Sequence, residues 1–164
     1  MASELALRRK LTLRAQSPDG PQKVVFVKKP VESIEHVLMK AFLWALYLPD
    51  YPDLAIEIPI GDRYKPDLVQ RDRRGEPVFW GESGKVGLEK YRSLLRRFPD
   101  THFAVAKWAE RLDPHVAIVR DAIDSRPRRA PFDLLSFPPD AAARFLADDG
   151  TVTVSFDDVE RVRL

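Results

Sequence analysis

Two carboxylates and a lysine lie within one short stretch, Tyr64 to Lys85, in an order that suits phosphate chemistry. Asp67 follows Pro66, and Glu82 is followed by Ser83, Gly84 and Lys85. Between them, Lys65 to Gln70 is β-prone through Leu68 and Val69, Arg71 to Gly75 is a charged turn, and Glu76 to Gly84 returns through Val78, Phe79 and Trp80. Two such runs around a turn ending in Gly predict an antiparallel hairpin. The start of its first strand then lies beside the end of its second, so Asp67 meets Glu82. Such a pair can hold Mg²⁺ or Mn²⁺ through oxygen, with a backbone carbonyl (that of Ser83) and waters completing the shell. An ion held there would lower the pKa of a bound water and neutralise charge on a scissile phosphate. Lys85 would orient that water or stabilise a phosphate oxygen.

Three other chemistries nearly fit around Gly84 and fail on a residue each. A P-loop has Gly, four residues, then Gly-Lys-Ser/Thr, but Phe79 stands where the first Gly should be and Val86 replaces the hydroxyl. A nucleophile elbow needs Gly-x-Ser-x-Gly, and Lys85 takes the last place. Zinc needs clustered ligands, whereas His36, His102 and His115 are scattered and cysteine is absent. The plain structural alternative stays open: Pro-Asp often opens a strand, and Glu82 with Lys85 suits the start of a helix.

Pro66-Asp67, the hairpin, and Glu82-Ser83-Gly84-Lys85 running into a helix resemble the PD-(D/E)xK nuclease superfamily. Up to about Trp108 the order of elements resembles the bacterial YaeQ family, in which a helix bearing a glutamate precedes a "PDL" strand, a Gly turn and a strand ending in acid-x-Gly. The resemblance implies a metal-dependent nuclease-type site on a restriction-endonuclease-like α/β core, with Glu35 the residue that leans over the metal's water shell. An acid in a first helical turn also simply favours the helix dipole. Lys85 departs from the superfamily pattern. Acid-x-Lys puts both side chains on one strand face, and here the spacing is one longer, so Gly84 must bend or end the strand. YaeQ-like sequences tend to carry glutamine at that place, and Lys65 would be an alternative source of charge.

The rest of the chain supplies elements to position these residues. Leu5 to Ala15 and Gln22 to Lys29 predict an N-terminal hairpin around Ser17-Pro18-Asp19-Gly20. Pro30 to Leu48 predicts a helix with a broad apolar stripe, capped near Ser33, with Glu35 and His36 in its first turn. Leu54 to Ile60 reads as a strand with Pro59 marking an edge or bulge. Val86 to Phe98 is an amphipathic helix, and Thr101 to Trp108 a central strand. A helix over Leu112 to Ile123, a strand over Phe132 to Phe137, a helix over Pro139 to Leu146 and a closing strand over Val152 to Phe156 complete a mixed sheet flanked by helices, read as one domain, 1–164.

The chain of 164 residues is 45% hydrophobic and 32% charged, as ordinary globular proteins are. Its longest apolar run, Ala41 to Leu48, is too short to span a bilayer. No secretory signal pattern is visible, and zero cysteines fit a reducing cytoplasm. A net charge of +2 says little about partners by itself. Lys90, Arg92, Arg96 and Arg97, with the Arg126–Arg129 connection, would suit a phosphate backbone of DNA or RNA if they formed one surface; separately they are a solvated helix face and loop. The leading expectation is a Mg²⁺-dependent nuclease using Glu35, Asp67, Glu82 and Lys85. The alternatives are a catalytically silent domain of that fold that binds nucleic acid or a protein, and a structural regulator in which Asp67 and Glu82 only cap.

Overall fold

The computed structural model describes residues 2–123 and 127–164. It opens with a short helix α1 (Ala2–Leu7) and an antiparallel ribbon of β1 (Lys10–Ser17) and β2 (Gly20–Val27). The ribbon alternates along its length, with Leu11, Leu13, Ala15 and Phe26 buried and their neighbours exposed. Alternation thus holds from Lys10 onwards, while the chain before it, expected to begin the strand at Leu5, is helical.

Helix α2 (Ile34–Tyr47) is capped by Ser33, whose hydroxyl accepts from the His36 N–H at 3.1 Å. From Val37 to Tyr47 it is buried throughout, because the ribbon covers one side and the main sheet the other. That sheet has six strands in the order β3 (Ala55–Ile56), β4 (Leu68–Arg71), β5 (Pro77–Ser83), β6 (His102–Trp108), β7 (Phe132–Phe137) and β8 (Glu160–Arg163). β5, β6 and β7 are parallel, and the others join antiparallel. The parallel strands are joined through α3 (Leu88–Arg97) and α4 (Asp113–Ile123), which pack with Trp80, Phe103, Val105 and Phe132 on one face. α2 covers Phe79, Ala104, Leu135 and Phe137 on the opposite face. A short helix α5 (Ala141–Phe145) follows β7. The fold is therefore the expected mixed sheet flanked by helices, with an N-terminal hairpin.

Two further expectations need correction. The strand expected over Leu54 to Ile60 pairs only at Ala55 and Ile56, because Glu57 turns into the left-handed region at φ 51°. The closing strand expected over Val152 to Phe156 is reduced to isolated bridges, Thr151 with Arg14 and Val152 with Leu146. A 3₁₀ turn at Phe156–Asp158 follows, and the sheet closes instead with β8. Among the described residues no helix is long and apolar enough to cross a membrane.

Candidate functional site

The β4–β5 hairpin is set by its turn. Asp72 Oδ1 accepts from the Arg74 and Glu76 N–H groups at 2.8 and 3.0 Å, and Gly75 supplies the left-handed residue at φ 85°. The resulting register pairs Leu68 with Gly81, so Asp67 stands opposite Glu82. Asp67 is tied down on both sides: its N–H donates to Gly81 O at 3.1 Å, and its carbonyl accepts from Glu57 N at 2.9 Å. Its carboxylate Oδ2 accepts from Ser83 N at 2.8 Å. Glu82 is buried, and its Oε1 receives both the Trp80 indole N–H and the Lys90 ammonium at 2.9 Å.

Both carboxyls are pushed above the ordinary carboxylate range. For Asp67 the main cause is burial, opposed by the Ser83 N–H and the charges of Lys40 and His36. For Glu82 burial comes first and the negative charge of Asp67 second, with Lys90 opposing. Glu82 therefore senses Asp67, Asp67 senses Glu57, and the counter-charges of both do not make up for lost water. Among the described residues Asp67 Oδ1 and Glu82 Oε2 have no hydrogen-bond partner.

A second set of charges lines the α2 side of Asp67. Glu32, His36 and Lys40 follow one another at intervals of four and share one face of the chain entering and forming α2. Lys40 is 1% exposed, and its ammonium lies 2.6 Å from both Glu32 Oε2 and Glu57 Oε1. Burial would lower its pKa, yet the two carboxylates hold it above the ordinary value. Glu32 is correspondingly held low: burial is outweighed by its bonds from Lys40 and His36. His36 joins this set to the hairpin, with Nδ1 2.6 Å from Glu32 Oε2 and Nε2 3.0 Å from Ser83 O. The Ser83 carbonyl expected in a metal shell is thus already met by His36. Lys29, Glu32, His36, Glu57, Lys65 and Asp67 line a cleft of about 350 Å³.

The sequence-derived residues separate into two groups. Asp67 and Glu82 come together as the hairpin requires. Glu35 is exposed on α2, and the α2 charges that act on Asp67 are those of Lys40 and His36; Lys85 is exposed beyond the end of β5. Gly84 does end the strand, at φ 83°, but the lysine that reaches Glu82 is Lys90 from α3. Lys65 lines the cleft. Sequence reasoning missed Glu32, Lys40 and Glu57. A lysine inside Val37–Leu46, four residues past His36 and eight past Glu32, was a readable signal for the first two. Nothing in the sequence marks Glu57 as left-handed. Further along the expected basic face, Arg92 pairs with Asp121 at 2.9 Å, Arg97 with Asp62, and Arg129 with Asp100 at 2.5 Å. Ser125 and Arg126 of that connection lie outside the described residues.

At the other end of the parallel strands lies a network that the sequence reading did not anticipate. Asp133 is fully buried on β7 and accepts from Tyr47 at 2.7 Å and from Arg163 at 2.8 and 3.0 Å. His102 Nε2 lies 2.7 Å from the same carboxylate, and Tyr51 OH lies 2.9 Å from His102 Nδ1. One tautomer satisfies both contacts, with Nε2–H donating to Asp133 and the Tyr51 hydroxyl donating to Nδ1. Burial alone would raise the Asp133 carboxyl, but the bonds from His102, Arg163 and Tyr47 hold it well below the usual range.

Fold and site together describe a mixed α/β protein with under-compensated carboxylates at the carboxyl end of its parallel strands, where open α/β sheets place ligands. No protein-family profile matches the chain, and no curated protein matches it. Solved structures do. The YaeQ protein from Pseudomonas syringae superposes with a TM-score of 0.61 at 17% identity, covering 93% of this chain and 90% of that one. The YaeQ protein from Xanthomonas axonopodis pv. citri gives 0.57 at 18% identity, covering 77% and 73%. The chain shares the fold of these YaeQ proteins.

Proposed function

We propose that this chain is a YaeQ-like member of the PD-(D/E)xK superfamily and a Mg²⁺- or Mn²⁺-dependent phosphodiesterase acting on nucleic acid in the cytoplasm. The observation that carries the reading is the placement of Asp67 opposite Glu82, each raised by burial, with the charge of Asp67 adding to the rise at Glu82. Among the described residues no three acidic or histidine side chains gather as a metal cluster. Mg²⁺ does not need one: it is commonly held by one or two carboxylates, with waters and substrate phosphate filling the remaining positions. Asp67 and Glu82 fit that donor set, with Oδ1 and Oε2 uncommitted among the described residues.

When bound, such an ion would supply an activated water and neutralise charge on the phosphate. The chain's own residues supply orientation. The Ser83 N–H fixes the Asp67 carboxylate, and the Trp80 N–H and Lys90 fix that of Glu82. Lys90 would also meet a phosphate oxygen, the role first expected of Lys85, and Lys65 would add charge at the cleft.

A second reading has its own support. Lys90 already pairs with Glu82, and Lys40 already lies between Glu32 and Glu57, so a silent domain could use built-in ammonium groups where an enzyme uses an ion. The test is incubation of purified protein with single- and double-stranded DNA and RNA in Mg²⁺ or Mn²⁺, with Asp67→Asn and Glu82→Gln alongside. Cleavage present in the wild type and lost in both isosteric variants supports the enzyme. Absence of cleavage with every substrate favours the silent domain.

A further inference from the structure

We infer that the outer face of the β1–β2 ribbon is a docking surface for duplex DNA. The inference rests on the proposed function for its choice of partner and adds the duplex form of the substrate. Its observations are separate from the metal site. From Arg8 to Lys29 the chain carries seven basic residues and one acid, Asp19 in the turn, a net of +6 on a chain whose net charge is +2. The remaining 142 residues therefore carry a net of −4.

The pairing register concentrates this charge. Lys10 stands opposite Val27, Thr12 opposite Val25, and Arg14 opposite Lys23, and all six are exposed on the face turned away from Phe26 and α2. Among the described residues none of the seven basic side chains forms an ion pair with an acid, in contrast to Lys90, Arg92 and Arg97 on α3. Arg14 donates one N–H to the Asp149 carbonyl at 2.8 Å, and its charge helps to hold the exposed Asp149 carboxyl low without a direct ion pair. Exposed Val25 and Val27, each about half exposed, would give the face short apolar contacts between its cations.

The shape suits a duplex. The major groove, about 12 Å wide, admits a two-stranded β-ribbon. Strands of eight residues extend about 25 Å, enough for several base pairs. Continuity with the candidate site is direct. β2 runs through Lys28 into Lys29, and Lys29 lines the cleft that contains Asp67. A duplex seated on the ribbon would have its backbone led toward that cleft.

The test is fluorescence anisotropy with a labelled duplex of about two helical turns (roughly 20 bp), in EDTA, as a function of salt. Wild type is compared with a Lys10→Gln/Arg14→Gln/Lys23→Gln variant, an Arg92→Gln/Arg96→Gln control on α3, and the Asp67→Asn/Glu82→Gln pair. Thermal melts check that each is folded. The expected result is salt-dependent binding by the wild type, weakened about tenfold or more in the ribbon variant. The slope of log affinity against log salt should fall by about 0.9 for each phosphate contact removed. Binding should survive in the α3 control and in the carboxylate pair. In the binding assay, the inference is overturned by no salt-dependent duplex binding, a folded ribbon variant that binds like wild type, tighter binding of a matched single strand, or association with anionic vesicles in place of DNA. Because binding is read without metal, duplex binding with no hydrolysis refutes only the enzyme reading, and hydrolysis unaffected by the ribbon variant refutes only this one.

Discussion

At the amino end of the parallel strands Asp133 is fully buried and fully partnered; at their carboxyl end Asp67 is half-buried and Glu82 buried, and both are only partly compensated. Asp133 has donors from β6, β8 and α2, and its carboxyl is held low. The opposite pair has one backbone N–H, one indole and one lysine, and both carboxyls are held high. Burial is common to both ends, so burial is not what distinguishes them. The balance of donors is. Asp133 joins α2, β6 and β8 to β7, whereas Asp67 and Glu82 keep charge that folding alone leaves unsatisfied, the condition in which a ligand is gained.

The comparison can be broken by mutation, starting with the largest effect. Asp133→Ala should cost about 3–5 kcal/mol, since Tyr47, His102 and Arg163 lose one shared acceptor. Urea denaturation followed by tryptophan fluorescence would measure it, and a loss below about 1 kcal/mol would remove the network from the stability account. Lys40→Met should cost about 3 kcal/mol by leaving Glu32 and Glu57 without their common cation. The loss should shrink in acid as the Glu32 carboxylate protonates. Gly84→Ala should cost about 1–2 kcal/mol, because φ is 83° and the new methyl would stand 3.4 Å from the His36 ring. Calorimetric melting would register that as a drop of a few degrees.

The smallest effect is the most informative about charge. Asp67 and Glu82 have folded pKa values raised above their unfolded ones, so their contribution to stability is complete below the ordinary carboxylate range, about pH 4. It is lost as pH rises through the raised values. Asp133 has the opposite sign: its contribution is present above its unfolded value and is lost as acid protonates the folded carboxylate. Asp67→Asn/Glu82→Gln should therefore be more stable than wild type near neutral pH, with the advantage vanishing toward about pH 4. Denaturation midpoints across that range that stay parallel for the two proteins would show that the pair carries no excess charge.

The legibility of the chain follows the same division. The β4–β5 hairpin could be read because its turn residues and apolar runs are local, and its register alone brings Asp67 to Glu82. β7 and the buried stripe of α2 were equally local. β8 was missed because Glu160-Arg161-Val162-Arg163 has no apolar alternation; this edge strand is held by Arg163 reaching Asp133. Glu35 and Lys85 were chosen by motif position, but the turn of α2 and the left-handed Gly84 leave both exposed. Lys90 and Glu57 reach the site through helix packing and one strained residue, neither of which any sequence window contains. The ribbon's charge was visible in the sequence all along, but its segregation onto one face depends on the pairing register.

The measurement that bears most directly on the central claim is calorimetric titration of Mn²⁺ into metal-free wild type, Asp67→Asn and Glu82→Gln, alone and with an uncleavable phosphorothioate duplex. Saturable binding of one ion per chain, weakened about tenfold or more in each variant (about 1.4 kcal/mol), is the predicted result. Absence of saturable binding in the wild type under both conditions, or binding equal in all three proteins, would contradict it.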